Sequence, residues 1–144
     1  MKRILRGLAA ALWLAGAAAP AAAEEALGDG DEAAIRAVIQ SQLEAFRRDD
    51  GVAAFSYAAP NIRLKFATPE TFMSMVRTGY RAVYRPREVR FLEALARDGE
   101  IAQAVRFVGP DGAAVVAVYL MERQPDGSWR IAGVHLFPID ERTS

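Results

Sequence analysis

Cysteine is missing altogether from this chain, and histidine occurs once, at His135. The first absence excludes disulfides, thiolate nucleophiles and haem-attachment pairs. Together they exclude a transition-metal site of familiar form, and Asp49-Asp50 lacks the spacing of a calcium loop. No Gly-x-Ser-x-Gly and no phosphate-cradling glycine loop is found. Neither sign of charge is in excess, since 18 Lys and Arg balance 18 Asp and Glu. A chain with no basic surplus is a poor candidate for non-specific nucleic-acid binding. No metal, no cofactor and no nucleic acid are therefore expected.

What is present begins with a targeting pattern. Lys2, Arg3 and Arg6 precede an apolar run from Gly7 to Ala18, and Ala21-Ala22-Ala23 supplies small residues for cleavage. This reads as a signal peptide over residues 1–23, cut after Ala23, which sends the mature chain to the periplasm or outside the cell. The apolar run is too short to cross ~30 Å of hydrocarbon, so no stable membrane insertion is expected after cleavage. Residues 24–144, 121 in all, carry 15 basic and 18 acidic residues and suffice for one domain. Without cysteine, that domain must be held by its core alone.

Residues 24–30, acidic and glycine-containing, read as a flexible lead-in to a single domain over 31–138, with 139–144 as a tail. Asp31 is a plausible helix cap, and Ile35, Val38, Ile39, Leu43 and Phe46 recur at helical spacing. Glu32–Arg36 and Glu44–Arg48 are candidate ion pairs on the other face. Gln42 falls inside the apolar stripe. A short second helix is predicted from Val52 to Ala58, capped by Asp50. Asn61–Phe66 alternates polar and apolar, which predicts a short edge strand. Thr68-Pro69 opens a third helix whose stripe runs Phe72, Met75, Val76, Gly79, Tyr80, Val83, Tyr84 and stops before Pro86. Gly79 would let it approach a sheet closely. The period then changes to two. Strands at about 87–96, 101–108, 113–121 and 129–137 are joined by Asp98-Gly99, Gly109–Gly112 and Gln124–Gly127. The fold class is α+β: three helices with one short strand, then a four-strand antiparallel meander.

Tight turns fix a register. Gln103 should oppose Tyr119, Tyr119 should face Gly133, and Ala117 should face His135. One sheet face then collects Leu92, Gln103, Tyr119, Gly133 and His135, and the other Val89, Phe91, Val116, Val118, Leu120, Val134 and Leu136. Both are too apolar to be wet, and three helices cover only one. A homodimer through Val116, Val118, Leu120, Val134 and Leu136 is expected. The first face would form a pocket, with Gln42 reaching in and Tyr80 and Tyr84 at its mouth. His135 as base, Tyr119 as donor and Gln103 as an orienting amide would suit a lyase or isomerase. Plainer readings stand beside each: a lone histidine satisfied by a carbonyl or water, tyrosines packed along a helix, and Gln42 bonded to sheet backbone. Arg77, Arg81 and Arg85 read as a solvated helix face.

Gln42-Leu43-Glu44-Ala45-Phe46 followed by Asp49, and the closing Asp126–Ile131, resemble the nuclear-transport-factor-2-like fold, shared with SnoaL-like proteins and ketosteroid isomerase. That fold is a cone of three helices wrapped by a curved antiparallel sheet. Ala45-Phe46, Ala53-Ala54-Phe55, Phe72, Met75-Val76, Gly79-Tyr80, Tyr119-Leu120-Met121 and Trp129–Val134 look like a group of exported bacterial proteins catalogued only as a domain of unknown function. The likeness covers about Asp31 to Pro138. Ketosteroid isomerase uses inward carboxyl groups beside a tyrosine. The expected pocket face here has no Asp or Glu. The function expected is an exported, non-catalytic domain that binds a small apolar or amphipathic ligand or a protein partner. The alternatives are a cofactor-independent lyase or isomerase centred on His135 and Tyr119, and a purely structural envelope protein with a filled core.

Overall fold

The computed structural model describes residues 27–141. The expected signal peptide, the start of the lead-in and the last three residues of the tail lie outside the described residues. Within them the chain runs α1 (Asp29–Arg47), α2 (Gly51–Ser56), α3 (Pro60–Phe66), α4 (Pro69–Gly79), α5 (Arg81–Tyr84), β1 (Glu88–Arg97), β2 (Glu100–Val108), β3 (Ala114–Arg123) and β4 (Trp129–Pro138). The strands form one antiparallel sheet in the order β1-β2-β3-β4, each paired with its sequence neighbour.

The helical stripe buries Ile35, Ile39, Leu43 and Phe46 against the sheet. α1 starts before the expected cap. Gly28 stands at the N-cap, and Asp31, one turn in, accepts from the Gly28 N–H at 3.2 Å. Asp31 also takes Arg123 Nη2 at 2.7 Å, which ties the start of α1 to the end of β3. The expected surface pairs are replaced. Arg36 lies over the Phe91 ring at 5.5 Å, and Arg48 reaches Asp50 at 3.4 Å. Asp50 caps α2 as expected, accepting from the Ala53 N–H at 3.1 Å.

Residues 61–66 are helical, which corrects the predicted edge strand. Pro60 sets the first helical φ, and Ala59 before it is extended. Ile62 and Phe66, four apart, share a face and pack on the core, while Leu64 is 82% exposed. Six alternating residues fit both periods, and the proline decides. The third predicted helix is two, broken at Tyr80 (φ −132°, ψ 48°). A Cβ on Gly79 would meet nothing within 4 Å, so Gly79 weakens the helix where it breaks and makes no close approach.

The hairpin turns hold as read. Asp98 and Gly99 both take positive φ (53° and 80°), as a type I′ turn requires. Gly109 N–H reaches Ala113 O at 2.9 Å, and Gln124 N–H reaches Ser128 O at 2.7 Å. Gln103 opposes Tyr119. The register then shifts at two bulges. Met121 opposes Ile131 but Leu120 opposes Gly133, so Ala132 is extra. Beyond it Tyr119 opposes Val134, Ala117 opposes Leu136, and Val118 opposes His135. Val134 and Leu136 therefore pack on the core, and Gly133, His135 and Phe137 take the face of Val116, Val118 and Leu120. In β1, Phe91 opposes Val105 while Ala94 opposes Gln103, so Val89 and Phe91 join the inner face. The expected faces are reversed at these five positions on β4 and at those two on β1. The tail begins anchored, with Ile139 N–H on Ala114 O at 3.2 Å and Glu141 paired with Arg106.

Candidate functional site

β4 is an edge strand, yet its outer backbone is partly occupied. Ala58 forms a parallel bridge with Ile131, through Ala59 N–H to Ile131 O (2.8 Å) and Ile131 N–H to Tyr57 O (2.9 Å). Asn61 Nδ2 donates to Ala132 O at 3.0 Å, and the Tyr80 hydroxyl donates to Val134 O at 3.0 Å. These contacts satisfy the backbone around the bulge, and they hold α3 and the α4–α5 break against it.

Between them lies a cavity of about 470 Å³. Phe46, Phe72, Val76 and Val83 wall it from the helices, and Tyr119, Ile131 and Val134 from the sheet. Asn61, Ile62, Lys65 and Phe66 of α3 border one side, Ala132, Gly133 and His135 another. The buried members mark its floor; the exposed Asn61, Lys65 and His135 mark its mouth. No Asp or Glu lines it.

Two polar residues, Gln42 and Tyr119, belong to the buried part of the lining. Gln42 is buried, and its Nε2 donates to Ala54 O of α2 at 3.1 Å. Its partner is helix backbone rather than the sheet backbone of the plainer reading. Tyr119 is fully buried and its hydroxyl has no hydrogen-bond partner. Burial pushes that hydroxyl up in pKa, so it stays a neutral donor at physiological pH.

Of the residues singled out from sequence, Gln42, Tyr80, Tyr119, Gly133 and His135 border the cavity. Tyr84 and Gln103 do not. The Tyr84 hydroxyl donates to Asp49, whose other oxygen takes Arg85 Nη2 at 3.0 Å. Those contacts, the Tyr84 bond first, hold the Asp49 carboxyl below its usual range. Gln103 Nε2 donates to Leu92 O (3.0 Å) and Ala104 O (2.8 Å), filling the gap the β1 bulge leaves in the ladder. The expected grouping of His135, Tyr119 and Gln103 on one face is not formed. His135 alternates to the face of Val118, and the Gln103 amide nitrogen is committed to backbone while its Oε1 is left buried and unpaired. Gly133 and His135 reach the cavity by its rim. The α3 residues Asn61, Ile62, Lys65 and Phe66 were missed because their segment read as a strand. Pro60, ahead of Ile62 and Phe66 at helical spacing, was the signal available.

A second, shallow hollow on the outer face is framed by Glu88, Arg106 and Glu141, whose charges are already paired. Among the described residues no group of His, Asp and Glu could hold a metal ion, and no helix is long and apolar enough to cross a membrane.

Fold and site together define an α+β domain of helices followed by an antiparallel meander, with an apolar cavity between α3, α4 and one sheet edge. The chain belongs to the family described as Domain of unknown function (DUF4864), whose model matches residues 29–143. No curated protein and no solved structure matches it.

Proposed function

We propose that this domain binds a small, largely apolar molecule that offers one hydrogen-bond acceptor to Tyr119. The observation that carries this reading is Tyr119, which lines the 470 Å³ cavity and whose hydroxyl is buried without a hydrogen-bond partner. An orphaned buried hydroxyl costs roughly 1–3 kcal/mol, and an acceptor brought in by a ligand recovers that cost. The volume falls within the roughly 300–1,000 Å³ of small-molecule sites, and apolar walls with few polar groups are their usual make-up. The architecture is read as a nuclear-transport-factor-2-like cone, with the cavity as its interior, working after export through the signal peptide. The test is a titration of isotope-labelled protein with methyl hexyl ketone, an apolar chain bearing one acceptor. Amide shifts at Ile131–Val134 and at Val76–Tyr80 are expected, with binding about fivefold weaker in Tyr119→Phe. An unshifted spectrum at millimolar ketone would overturn the reading.

The outer face supports a second copy of the chain as partner. Phe137, 51% exposed, lies there opposite half-buried Val116 with Val118 nearby, and Leu95, 53% exposed, lies on the same face of edge strand β1. The bulge removes Val134 and Leu136 from the expected dimer surface and adds Phe137.

A further inference from the structure

We propose that the ligand is an amphipathic acid that carries a second, neutral acceptor: the acceptor meets Tyr119, the apolar body sits among Phe46, Phe72 and Val76, and the carboxylate is held at the mouth beside Lys65. This rests on the binding reading above and specifies the chemical class.

The lining is one-sided in charge. It contains no carboxylate, and the side chains in it able to carry positive charge are Lys65 and His135, both exposed. The floor offers only neutral groups, the Tyr119 hydroxyl and the Gln42 amide. An ionised group seated there would lose its water and gain no counter-charge. A charged head must therefore stay at the rim, and the rim meets only a negative one. Asn61 is committed through Nδ2 to Ala132 O. The Lys65 ammonium has no carboxylate partner among the described residues and stands 5.5 Å from the Phe66 ring centre. An incoming acid displaces no existing ion pair there. A cationic amphiphile would place like charge against Lys65.

The test compares 7-oxooctanoate, methyl hexyl ketone and 7-oxooctylammonium, three chains of similar size that share the ketone and differ in the head, by the same amide shifts. The keto acid is expected to bind about fivefold tighter than the plain ketone at low salt, as a surface charge pair allows, and the ammonium compound most weakly. Added salt should shrink the preference. In Lys65→Gln the acid-to-ketone ratio should fall to near one. In Arg63→Gln, altered on the same helix but outside the lining, it should persist, which separates a local contact from net charge. Equal affinity of keto acid and ketone, or a preference that survives Lys65→Gln, overturns the acid head and leaves the binding reading standing. Failure of all three probes removes both.

Discussion

Tyr119 and Gln42 show how one buried polar group is explained by the fold and another is not. Gln42 bridges α1 to α2 by donating to Ala54 O, a carbonyl that also receives the Tyr57 N–H at 3.3 Å. Gln42→Leu removes that bridge and should lower stability by about 1 kcal/mol, read as a lower urea midpoint at unchanged slope. Tyr119 has no such employment: its hydroxyl is desolvated and unpaired. Tyr119→Phe should therefore raise the stability of the ligand-free protein by about 1 kcal/mol while weakening ligand binding. A loss of stability in that variant would mean the hydroxyl already has a partner. Sequence exposed Gln42 because it interrupts an apolar stripe, and Tyr119 because a tight turn set it opposite Gln103. It could not show which of the two was satisfied, since that depends on packing across elements far apart in the chain.

At the scale of elements, the turns were legible because each depends on residues within it: Asp98-Gly99 for positive φ, Asp111 and Asp126 for side-chain bonds back to the strand. The bulges were not, since an extra residue in β4 is chosen by what packs on either side. One uncounted residue, Ala132, reverses the facing of everything from Gly133 to Phe137. The connection from α3 to α4 holds strain that sequence also hid. Ala67 sits at φ 67°, ψ −42° while Thr68 N–H reaches Phe66 O at 2.7 Å, a three-residue γ-turn of the unfavourable hand. Ala67→Gly should relieve it and raise the thermal midpoint, with a gain of about 1 kcal/mol. The Asp49 clasp, which ties the end of α1 to α5, is pH-sensitive. Its carboxyl is held below the ordinary value of 3.8, so its stabilisation is complete above that value and lost as pH falls beneath it. Asn tolerates the positive φ of 56° at this position. Asp49→Asn should therefore unfold less steeply below about pH 4 than the wild type, in urea titrations run at a series of pH values.

For the whole molecule, the proposed pairing of two copies through the outer sheet face gives the assembly to test. Wild-type protein should sediment as a dimer, and Val118→Glu, which places a charge at the centre of that face, should give a folded monomer with unchanged circular dichroism. A wild-type monomer at every concentration would remove the second copy. The sheet and its helices also differ in how far the chain must reach to build them. Every strand pairs with its immediate neighbour, whereas the bridge from Ala58 to Ile131 joins distant segments. Hairpins close in microseconds, and contacts of long sequence separation come later because loop entropy must first be overcome. The seam between α3 and β4 is thus the last part of the molecule to form. Its Asn61–Ala132 bond is exposed, whereas the Ala58–Ile131 bridge is buried, so the Asn61 side is the part least costly to open. On the proposed binding reading, a ligand would pass the mouth by transient parting of that exposed side, on a timescale set by local opening, while the buried bridge and the meander stay folded.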